Sequence, residues 1–426
     1  MAPNTWETVL YERFPALQSH HVVMKIVQAN AVGCIVSLEH SDDSCDSPSS
    51  VFIKQVQATD YVSTKKDWAD LRRTLMYGRT EARFYRDVLP QLPLLQASAP
   101  RVWHVEYDLD PFFADDIPAN APAGPPPPAY TSGGAATDDT ITRTTAGVWI
   151  VLDCISPATH FQASPLTLNQ TRSCLDAAAT LHAAMWEQRD LLRLCHTQLS
   201  RASFALPLRN PKELVGMERA WQHFATEFAV ELRAAGLRDE DERMGRRVQR
   251  MARTISDLVL VAPDDPFCTL IHGDYKAMNV FLPQEGTEGS ALLVDYASCG
   301  IGLGMSDVAM HIHHAVLPED LDNGGERSLV HFYWESLQSR LGPTGEAYDW
   351  EIAWKHYRLG VVDYFRFFLG RMWKDATHAT MAKREDNPNV SNINRFPRAA
   401  AAYCVRVEQY LTELEEETKY ESANSC

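Results

Sequence analysis

One short segment, residues 270–282, constrains this chain more than any other, and it reads LIHGDYKAMNVFL. The apolar residues at its two ends predict two short strands, and the residues between them predict a polar turn. That turn contains His272, Asp274, Lys276 and Asn279. Because a carboxylate, an ammonium and a carboxamide add nothing to an apolar core, we interpret the turn as a candidate functional site.

The residue types in this turn meet the requirements of phosphoryl transfer. That reaction needs a group that receives the proton of an attacking hydroxyl, and cations that neutralise the charge of the phosphates. Asp274 is the candidate proton acceptor, and Lys276 is the candidate phosphate contact. Asn279 and Asp295, the latter at the end of the apolar run ALLVD, carry the oxygen ligands that Mg²⁺ prefers.

The spacing H-G-D-x-x-x-x-N at 272–279, followed by Asp295, resembles the aminoglycoside phosphotransferase and choline-kinase-like family, including its ecdysteroid-kinase-like members. These are small-molecule kinases with a protein-kinase-like fold. The resemblance implies that Asp274 and Lys276 are catalytic and that Asn279 and Asp295 bind the metal. It further implies ATP and Mg²⁺ as cofactors.

The resemblance extends on both sides of the turn. The segment GIGLGMSDVA at 300–309 is similar to a family segment whose aspartate, here Asp307, braces the catalytic loop. The segment LHAAMW at 181–186 is similar to the helix that precedes this loop in the family. Within it, we expect His182 to be a buried structural histidine and not a catalyst.

The N-terminal third resembles the nucleotide-binding part of the same family. Lys54 in VFIKQ is similar to the strand lysine that holds the nucleotide phosphates, and Glu81 in RTEARFYRDVLP to its partner on a helix. The resemblance implies that the two form an ion pair. The segment WIVLDC resembles the hinge that contacts adenine through backbone groups, which implies nucleotide binding at Trp149, Val151 and Asp153.

Two departures from the family pattern leave alternatives open. The predicted nucleotide-covering loop has one glycine, Gly33, and Asp295 is followed by Tyr-Ala. A nucleotide-binding pseudokinase scaffold therefore remains an alternative, as does a kinase for a glycated amine or a methylthio-sugar. A protein kinase is disfavoured because the interval from Asp295 to Asp307 is too short for an activation segment, and no A-P-E follows.

The order of predicted elements favours an α+β protein with the bilobal, protein-kinase-like architecture. We expect a small β-rich N-lobe at 1–152 with a hairpin over 22–38, a mainly helical C-lobe at 153–415, and an acidic tail at 416–426. Residues 108–147 are rich in Pro, Gly, Ala and Asp, which predicts a flexible insertion between two adjacent strands. The segment from Leu166 to Leu192 predicts one long amphipathic helix.

Composition excludes several classes of function. The net charge of −16 argues against nucleic acid as a partner. Nine scattered cysteines without a C-x-x-C pair, and an N-terminus without an export signal, predict a cytoplasmic protein with reduced thiols. No apolar run long enough to span a membrane occurs in the sequence, so no membrane association is expected.

We therefore expect an ATP- and Mg²⁺-dependent phosphotransferase that acts on a hydroxyl group of a small molecule of the choline, aminoglycoside or ecdysteroid type. The acidic net charge is compatible with a cationic acceptor, which we expect to lie against helices within 310–380. Asp363 is a candidate contact for a substrate amine, although its aromatic neighbours at helical spacing favour a core helix. The run HIHH at 311–314 suggests a metal site, with helix packing as the better account.

Overall fold

The computed structural model forms two compact units. The N-terminal unit comprises Met1–Pro90 and Pro100–Pro157, and the C-terminal unit comprises Gln91–Ala99 and Ala158–Cys426. The structure describes residues 21–28, 32–39, 50–57, 67–110, 112–118, 121, 124–127, 147–237, 243–287 and 289–424.

The N-terminal unit contains a five-stranded antiparallel sheet in the order β1-β2-β3-β5-β4. The strands are β1 (His21–Gln28), β2 (Val32–Glu39), β3 (Ser50–Gln57), β4 (Val102–Asp108) and β5 (Gly147–Asp153). The antiparallel pairing of β1 with β2 confirms the predicted hairpin, and residues 29–31 between the two strands lie outside the described residues. The pairing of β4 with β5 confirms that the strands flanking the predicted insertion are neighbours.

Helix α1 (Trp68–Arg83) packs on this sheet. Asp67 caps its N-terminus by accepting a hydrogen bond from the backbone of Asp70 at 2.8 Å. A Cβ at Gly78 would lie 3.1 Å from a methyl group of Val148 in β5, so the helix approaches the sheet closely at this point. The helix continues through a π-turn at Phe84–Val88.

The first part of the predicted insertion is ordered by packing. Leu109, Phe112 and Phe113 are each at most 7% exposed. Composition predicted flexibility because Pro, Gly and Asp dominate the segment as a whole, but two phenylalanines and a leucine at its start bury enough apolar surface to fix this part. Residues 128–146 lie outside the described residues.

The C-terminal unit is mainly helical, as predicted. Its helices are α2 (Pro93–Gln96), α3 (Leu168–Met185), α4 (Arg189–Gln198), α5 (Pro211–Val215), α6 (Met217–Glu227), α7 (Ala229–Ala234), α8 (Met244–Val259), α9 (Met305–Ala315), α10 (Pro318–Leu321), α11 (Gly325–Leu341), α12 (Trp350–Phe367), α13 (His378–Ala382) and α14 (Pro397–Asn424). The prediction of one helix from Leu166 to Leu192 was wrong, because Glu187 adopts a positive φ of 61° and separates α3 from α4. Helix α14 continues into the predicted acidic tail.

Two small sheets carry the candidate site. Strand β7 (Cys268–Ile271) pairs with β10 (Gly300–Leu303), while β8 (Val280–Pro283) lies between β6 (His160–Phe161) and β9 (Leu292–Leu293). The polar turn thus connects one small sheet to the other. A β-rich unit and a larger helical unit confirm the α+β prediction. Among the described residues, no helix combines the length and the apolarity needed to cross a membrane.

Candidate active site

Gly273 forms the bend at the start of the candidate loop, residues 272–279. Its φ is +74°, and a Cβ at this position would lie 2.2 Å from the backbone oxygen of Ser298. Both observations require glycine, since other residues rarely adopt this φ and none would fit the space. The bend turns the backbone N–H groups of His272 and Gly273 towards the start of α9.

Asp307, in the first turn of α9, receives those two N–H groups. Its carboxylate accepts hydrogen bonds from the backbone of His272 at 2.6 Å and of Gly273 at 2.9 Å. His182 donates to the same carboxylate at 3.2 Å through Nε2, and its Nδ1 accepts from Tyr333 at 2.7 Å. These contacts confirm that Asp307 braces the loop and that His182 is structural.

The loop places Asp274, Lys276 and Asn279 side by side. The Lys276 ammonium lies 3.1 Å from Oδ2 of Asp274. The Asn279 amide nitrogen donates to the backbone oxygen of Asp274 at 2.8 Å and lies 3.4 Å from its Oδ2. The Asp274 side chain is 28% exposed while Asn279 is buried, so the carboxylate is held firmly yet remains accessible to a small molecule.

Asp295 reaches the same loop through a strand pairing. Strand β9 pairs with β8, and the backbone N–H of Val294 donates to the carbonyl of Asn279 at 3.0 Å. Asp295, the next residue, adopts the left-handed conformation with φ 65° and ψ 58°. The two metal-ligand candidates are therefore brought together by backbone contacts between their strands.

The donor chemistry of Asn279 and Asp295 fits Mg²⁺. The Asn279 amide is anchored through its nitrogen, so its oxygen is the atom left to bind a cation. A carboxylate and an amide oxygen are hard ligands, and Mg²⁺ completes its shell with phosphate oxygens and water. In the described part of the chain, no cluster of three His, Cys, Asp or Glu side chains offers a metal cage. A site of this kind would hold Mg²⁺ together with a nucleotide.

Buried aromatic side chains support the loop from below. His272 donates to the carbonyl of Val294 at 2.9 Å and packs against Tyr296 with ring centroids 4.9 Å apart. Tyr275 donates to the carbonyl of Cys174 at 2.6 Å. Burial holds the pKa of Tyr275 and Tyr296 well above the usual value, so both hydroxyl groups are protonated at neutral pH.

Two contacts of the loop escaped sequence reasoning. Gln162 donates to the carbonyl of Met278 at 2.5 Å, which ties the turn before Asn279 to β6. Tyr364 of α12 is buried near Asp274: burial raises its pKa first, and the negative charge of Asp274 raises it further. Both partners are far from the loop in sequence, and neither belongs to a local motif that could have identified it.

In the N-terminal unit, Lys54 of β3 and Glu81 of α1 form the predicted ion pair. The Lys54 ammonium lies 2.6 Å from Glu81 Oε2, and the side chains are 15% and 2% exposed. A buried carboxylate of this kind is stabilised by its cationic partner, and removing either residue would leave the other charge poorly compensated. The pairing confirms the predicted ion pair, and the role of these two residues in nucleotide binding stays a prediction.

The three predicted hinge residues do not all suit adenine binding. Trp149 and Val151 lie in the interior of β5, which has paired neighbours on both sides, so their backbone groups belong to the sheet. The Asp153 side chain accepts a hydrogen bond from Trp103 at 2.6 Å, and its N–H donates to Arg101. The resemblance placed the hinge within the strand, whereas the chain leaves the sheet only after Asp153.

Two other candidates have structural partners. Asp363 forms a buried ion pair with Arg366 at 2.7 Å, so its charge is compensated within the protein, contrary to a role as a substrate amine contact. In the HIHH run, His311 donates to the carbonyl of Tyr275 at 3.1 Å, and burial lowers its pKa to about 4. His313 lies 3.3 Å from Glu326. These contacts are those of packed helices.

Structural comparison finds similar architectures at low sequence identity. A microcompartment-associated aminopropanol kinase aligns over 95% of this chain and 98% of its own, with 13% identity and a TM-score of 0.45. A choline kinase of Streptococcus pneumoniae aligns over 94% and 99%, with 11% identity and a TM-score of 0.44. An ethanolamine kinase of Plasmodium vivax aligns over 94% and 89%, with 10% identity and a TM-score of 0.43. A search of curated proteins found no match.

Sequence comparison with family models gives a direct assignment for part of the chain. Residues 157–345 match the model of the ecdysteroid kinase-like family. The match includes the loop at 272–279, Asp295 and Asp307, and it spans less than half of the 426 residues. The segment that carries the candidate active site is therefore similar to the ecdysteroid kinase-like family, which confirms the resemblance predicted from the sequence.

Proposed function

We propose that the chain is an ATP- and Mg²⁺-dependent phosphotransferase whose acceptor is a hydroxyl group of a small molecule. The observation that carries this proposal is the arrangement of Asp274. Its carboxylate is partly exposed and lies 3.1 Å from the Lys276 ammonium, and the Asn279 amide donates to the backbone oxygen of Asp274 at 2.8 Å. An accessible carboxylate in a rigid loop is suited to receive the proton of an alcohol.

The other residues of the loop have distinct roles in this proposal. Asp274 orients the acceptor hydroxyl and takes its proton, while Lys276 offsets negative charge on the transferred phosphoryl group. Asn279 and Asp295 hold Mg²⁺, which neutralises charge on the phosphates of ATP when it is bound. Asp307 acts through the backbone of His272 and Gly273 and keeps the loop in shape.

The N-terminal unit contributes nucleotide binding in the same proposal. Lys54 contacts the phosphates of ATP, and Glu81 holds its side chain in one position. Backbone groups after Asp153, where the chain leaves β5, take the place of the interior strand residues as contacts for adenine. This moves the predicted hinge towards the C-terminal end of the strand.

ATP turnover measured with a panel of hydroxyl-bearing metabolites tests this function. Purified protein is assayed with Mg·ATP, and phosphate released without an acceptor is subtracted. We expect turnover that depends on one class of small alcohol. A folded protein that binds Mg·ATP but gives no acceptor-stimulated turnover would favour the pseudokinase scaffold, and a folded protein that shows no Mg·ATP-dependent thermal shift would contradict nucleotide binding itself.

A further inference from the structure

Residues 109–110 and 112–117, which we call the clip, cover the face of α1 that carries three arginines. Arg72, Arg79 and Arg83 recur at spacings of seven and four residues, which places them on one side of the helix. All three side chains are buried, at 7%, 0% and 4% exposure. Arginine side chains are rarely buried unless acceptors or negative charges compensate their guanidinium groups. The question is therefore which groups compensate these three.

The clip supplies the hydrogen-bond acceptors for two of these arginines. Arg79 donates to the carbonyl of Asp115 at 3.0 Å and to that of Ile117 at 2.5 Å. Arg83 donates to the carbonyl of Asp115 at 2.6 Å and to its carboxylate at 2.8 Å. Tyr107 donates to the same carboxylate at 2.9 Å. Burial lowers the pKa of Arg79 to about 10, so it stays charged at neutral pH.

Aromatic side chains of the clip fix it to the same face. Phe112 stacks on Trp68, with ring centroids 6.4 Å apart and an interplanar angle of 19°. The guanidinium carbons of Arg72 and Arg79 lie 5.9 Å and 5.1 Å from the centre of the Phe113 ring. Cation–π contacts gain strength when the cation is desolvated, as these are. The clip is therefore an anchored segment and not a passive surface loop.

The anchored turn is also the turn that carries Glu81. Arg79 and Arg83 lie two residues before and two residues after it. The sheet holds α1 from another side, where Gly78 lies against Val148 and Val56. Because the clip and the sheet both restrain this last turn, the position of the Glu81 carboxylate relative to Lys54 depends on both.

We propose that the clip is a built-in positioning element for nucleotide binding, which holds α1 so that Glu81 keeps Lys54 in place. This inference rests on the proposed function, because it is the proposed role of Lys54 that gives the clip its effect on catalysis. Arg79, Arg83, Phe112 and Phe113 are positioning residues in this account. They act through the ion pair and contact no reacting group.

Clip variants and one matched control on the same helix test the proposal. Phe112→Ala/Phe113→Ala loosens the clip without altering α1, and Arg79→Gln removes its main anchor. Phe112→Leu/Phe113→Leu keeps apolar side chains in the clip, so its amide exchange and its KM for Mg·ATP should lie close to those of the wild type. Arg73→Gln is the control, since Arg73 is a partly exposed arginine of α1 that pairs with Asp70 and does not touch the clip.

Two measurements follow each variant: amide hydrogen exchange over residues 76–84, and steady-state kinetics with Mg·ATP and acceptor varied separately. We expect the double alanine variant to exchange about tenfold faster in this turn. We expect its KM for Mg·ATP to rise about tenfold while its KM for acceptor changes less than about twofold. If the clip only stabilised the fold, the variants would lower the free energy of unfolding, and the KM values for Mg·ATP and for acceptor would change to a similar extent.

The proposal is overturned if the double alanine variant matches Arg73→Gln in both exchange and nucleotide KM. It is also overturned if both KM values rise equally. If the wild-type protein transfers no phosphate, the proposed function fails, and amide exchange together with the Mg·ATP-dependent thermal shift then decides the inference. In that case, faster exchange at the turn of Glu81 with a smaller Mg·ATP-dependent thermal shift than in Arg73→Gln supports the inference, and an unchanged value of either measurement overturns it.

Discussion

Asp295, the proposed metal ligand, has an unusual backbone conformation. Its φ of 65° and ψ of 58° are left-handed, a region that most residues avoid and that Asp and Asn tolerate best. Such conformations persist where surrounding structure enforces them, and they concentrate at functional sites. Asp295 directly follows Val294, whose backbone N–H donates to the carbonyl of Asn279 at 3.0 Å.

Two substitutions of Asp295 separate its charge from its backbone conformation. Asp295→Asn keeps a residue that tolerates the left-handed region, so we expect the free energy of unfolding to change little. Asp295→Ala should destabilise the fold by about 1 kcal/mol through backbone strain. Both should weaken Mg²⁺-dependent nucleotide binding, because both lose the carboxylate. Urea unfolding and Mg²⁺ titration of the nucleotide thermal shift measure the two effects, and full Mg²⁺ dependence in Asp295→Asn would contradict a ligand role.

Among individual residues, the sequence was sufficient to predict proximity only where the residues belong to one short motif. Asp274, Lys276 and Asn279 lie within one loop, so their proximity follows from a short stretch of chain. Tyr364 and Gln162 could not be found in this way, because tertiary packing alone brings them to the loop. Asp363 was a wrong candidate for a substrate contact, because Arg366, one helical turn further along α12, compensates the charge of its carboxylate.

Among the elements, the turn between β7 and β8 determines the geometry of the site. Gly273 lets the chain reverse, Asp307 receives the N–H groups that the reversal exposes, and the short 3₁₀ turn at Ala277–Asn279 returns the chain to β8. The turn is more tightly packed than its polar sequence indicates, since a Cβ at Gly273 would overlap the backbone of Ser298.

Two glycines with nearly equal φ provide a test of this packing. Gly273→Ala should lower the free energy of unfolding by about 2–5 kcal/mol, since backbone strain and steric overlap both apply. Gly286→Ala, at a φ of +78° with no atom within 4 Å, should cost only about 1 kcal/mol from strain. Urea denaturation of both variants gives the comparison. Equal losses of unfolding free energy in the two variants would show that small backbone shifts relieve the overlap with Ser298, and that the turn is less rigid than described.

Element boundaries followed the sequence only where local signals were strong. Asp67 caps α1, and an aspartate before an amphipathic run is a helix start signal that the sequence carries. The break at Glu187 was missed, since nothing in its neighbourhood disfavours a helix. The clip was missed for the opposite reason: its composition resembles a disordered segment, and its order depends on arginines of α1 that lie far from it in sequence.

For the molecule as a whole, buried histidines predict a dependence of stability on pH. Burial lowers the pKa of His356 to about 4, with the charge of Lys355 contributing, and burial lowers that of His311 to about 4. The unfolded chain protonates these groups near their ordinary pKa of 6.5, whereas the folded chain does not. Stability is therefore fully present above about pH 6.5 and declines as the pH falls towards 4.

Replacing one of these histidines should flatten that decline. In His356→Gln, the slope of the free energy of unfolding between pH 6.5 and 4 should fall by about 1.4 kcal/mol per pH unit relative to the wild type. Urea titrations at several pH values within the window measure the slope. A variant whose slope equals that of the wild type would show that His356 protonates equally in the folded and unfolded chain.

The central claim at this scale is that the whole molecule transfers a phosphoryl group to an alcohol through Asp274. The most direct measurement is the formation of phosphorylated acceptor from Mg·ATP, followed by mass, in the wild type and in Asp274→Ala. We predict that the variant keeps its Mg·ATP-dependent thermal shift and loses about 10²–10⁴-fold in turnover, as removal of a general base typically causes. Equal turnover in the two proteins would contradict the account.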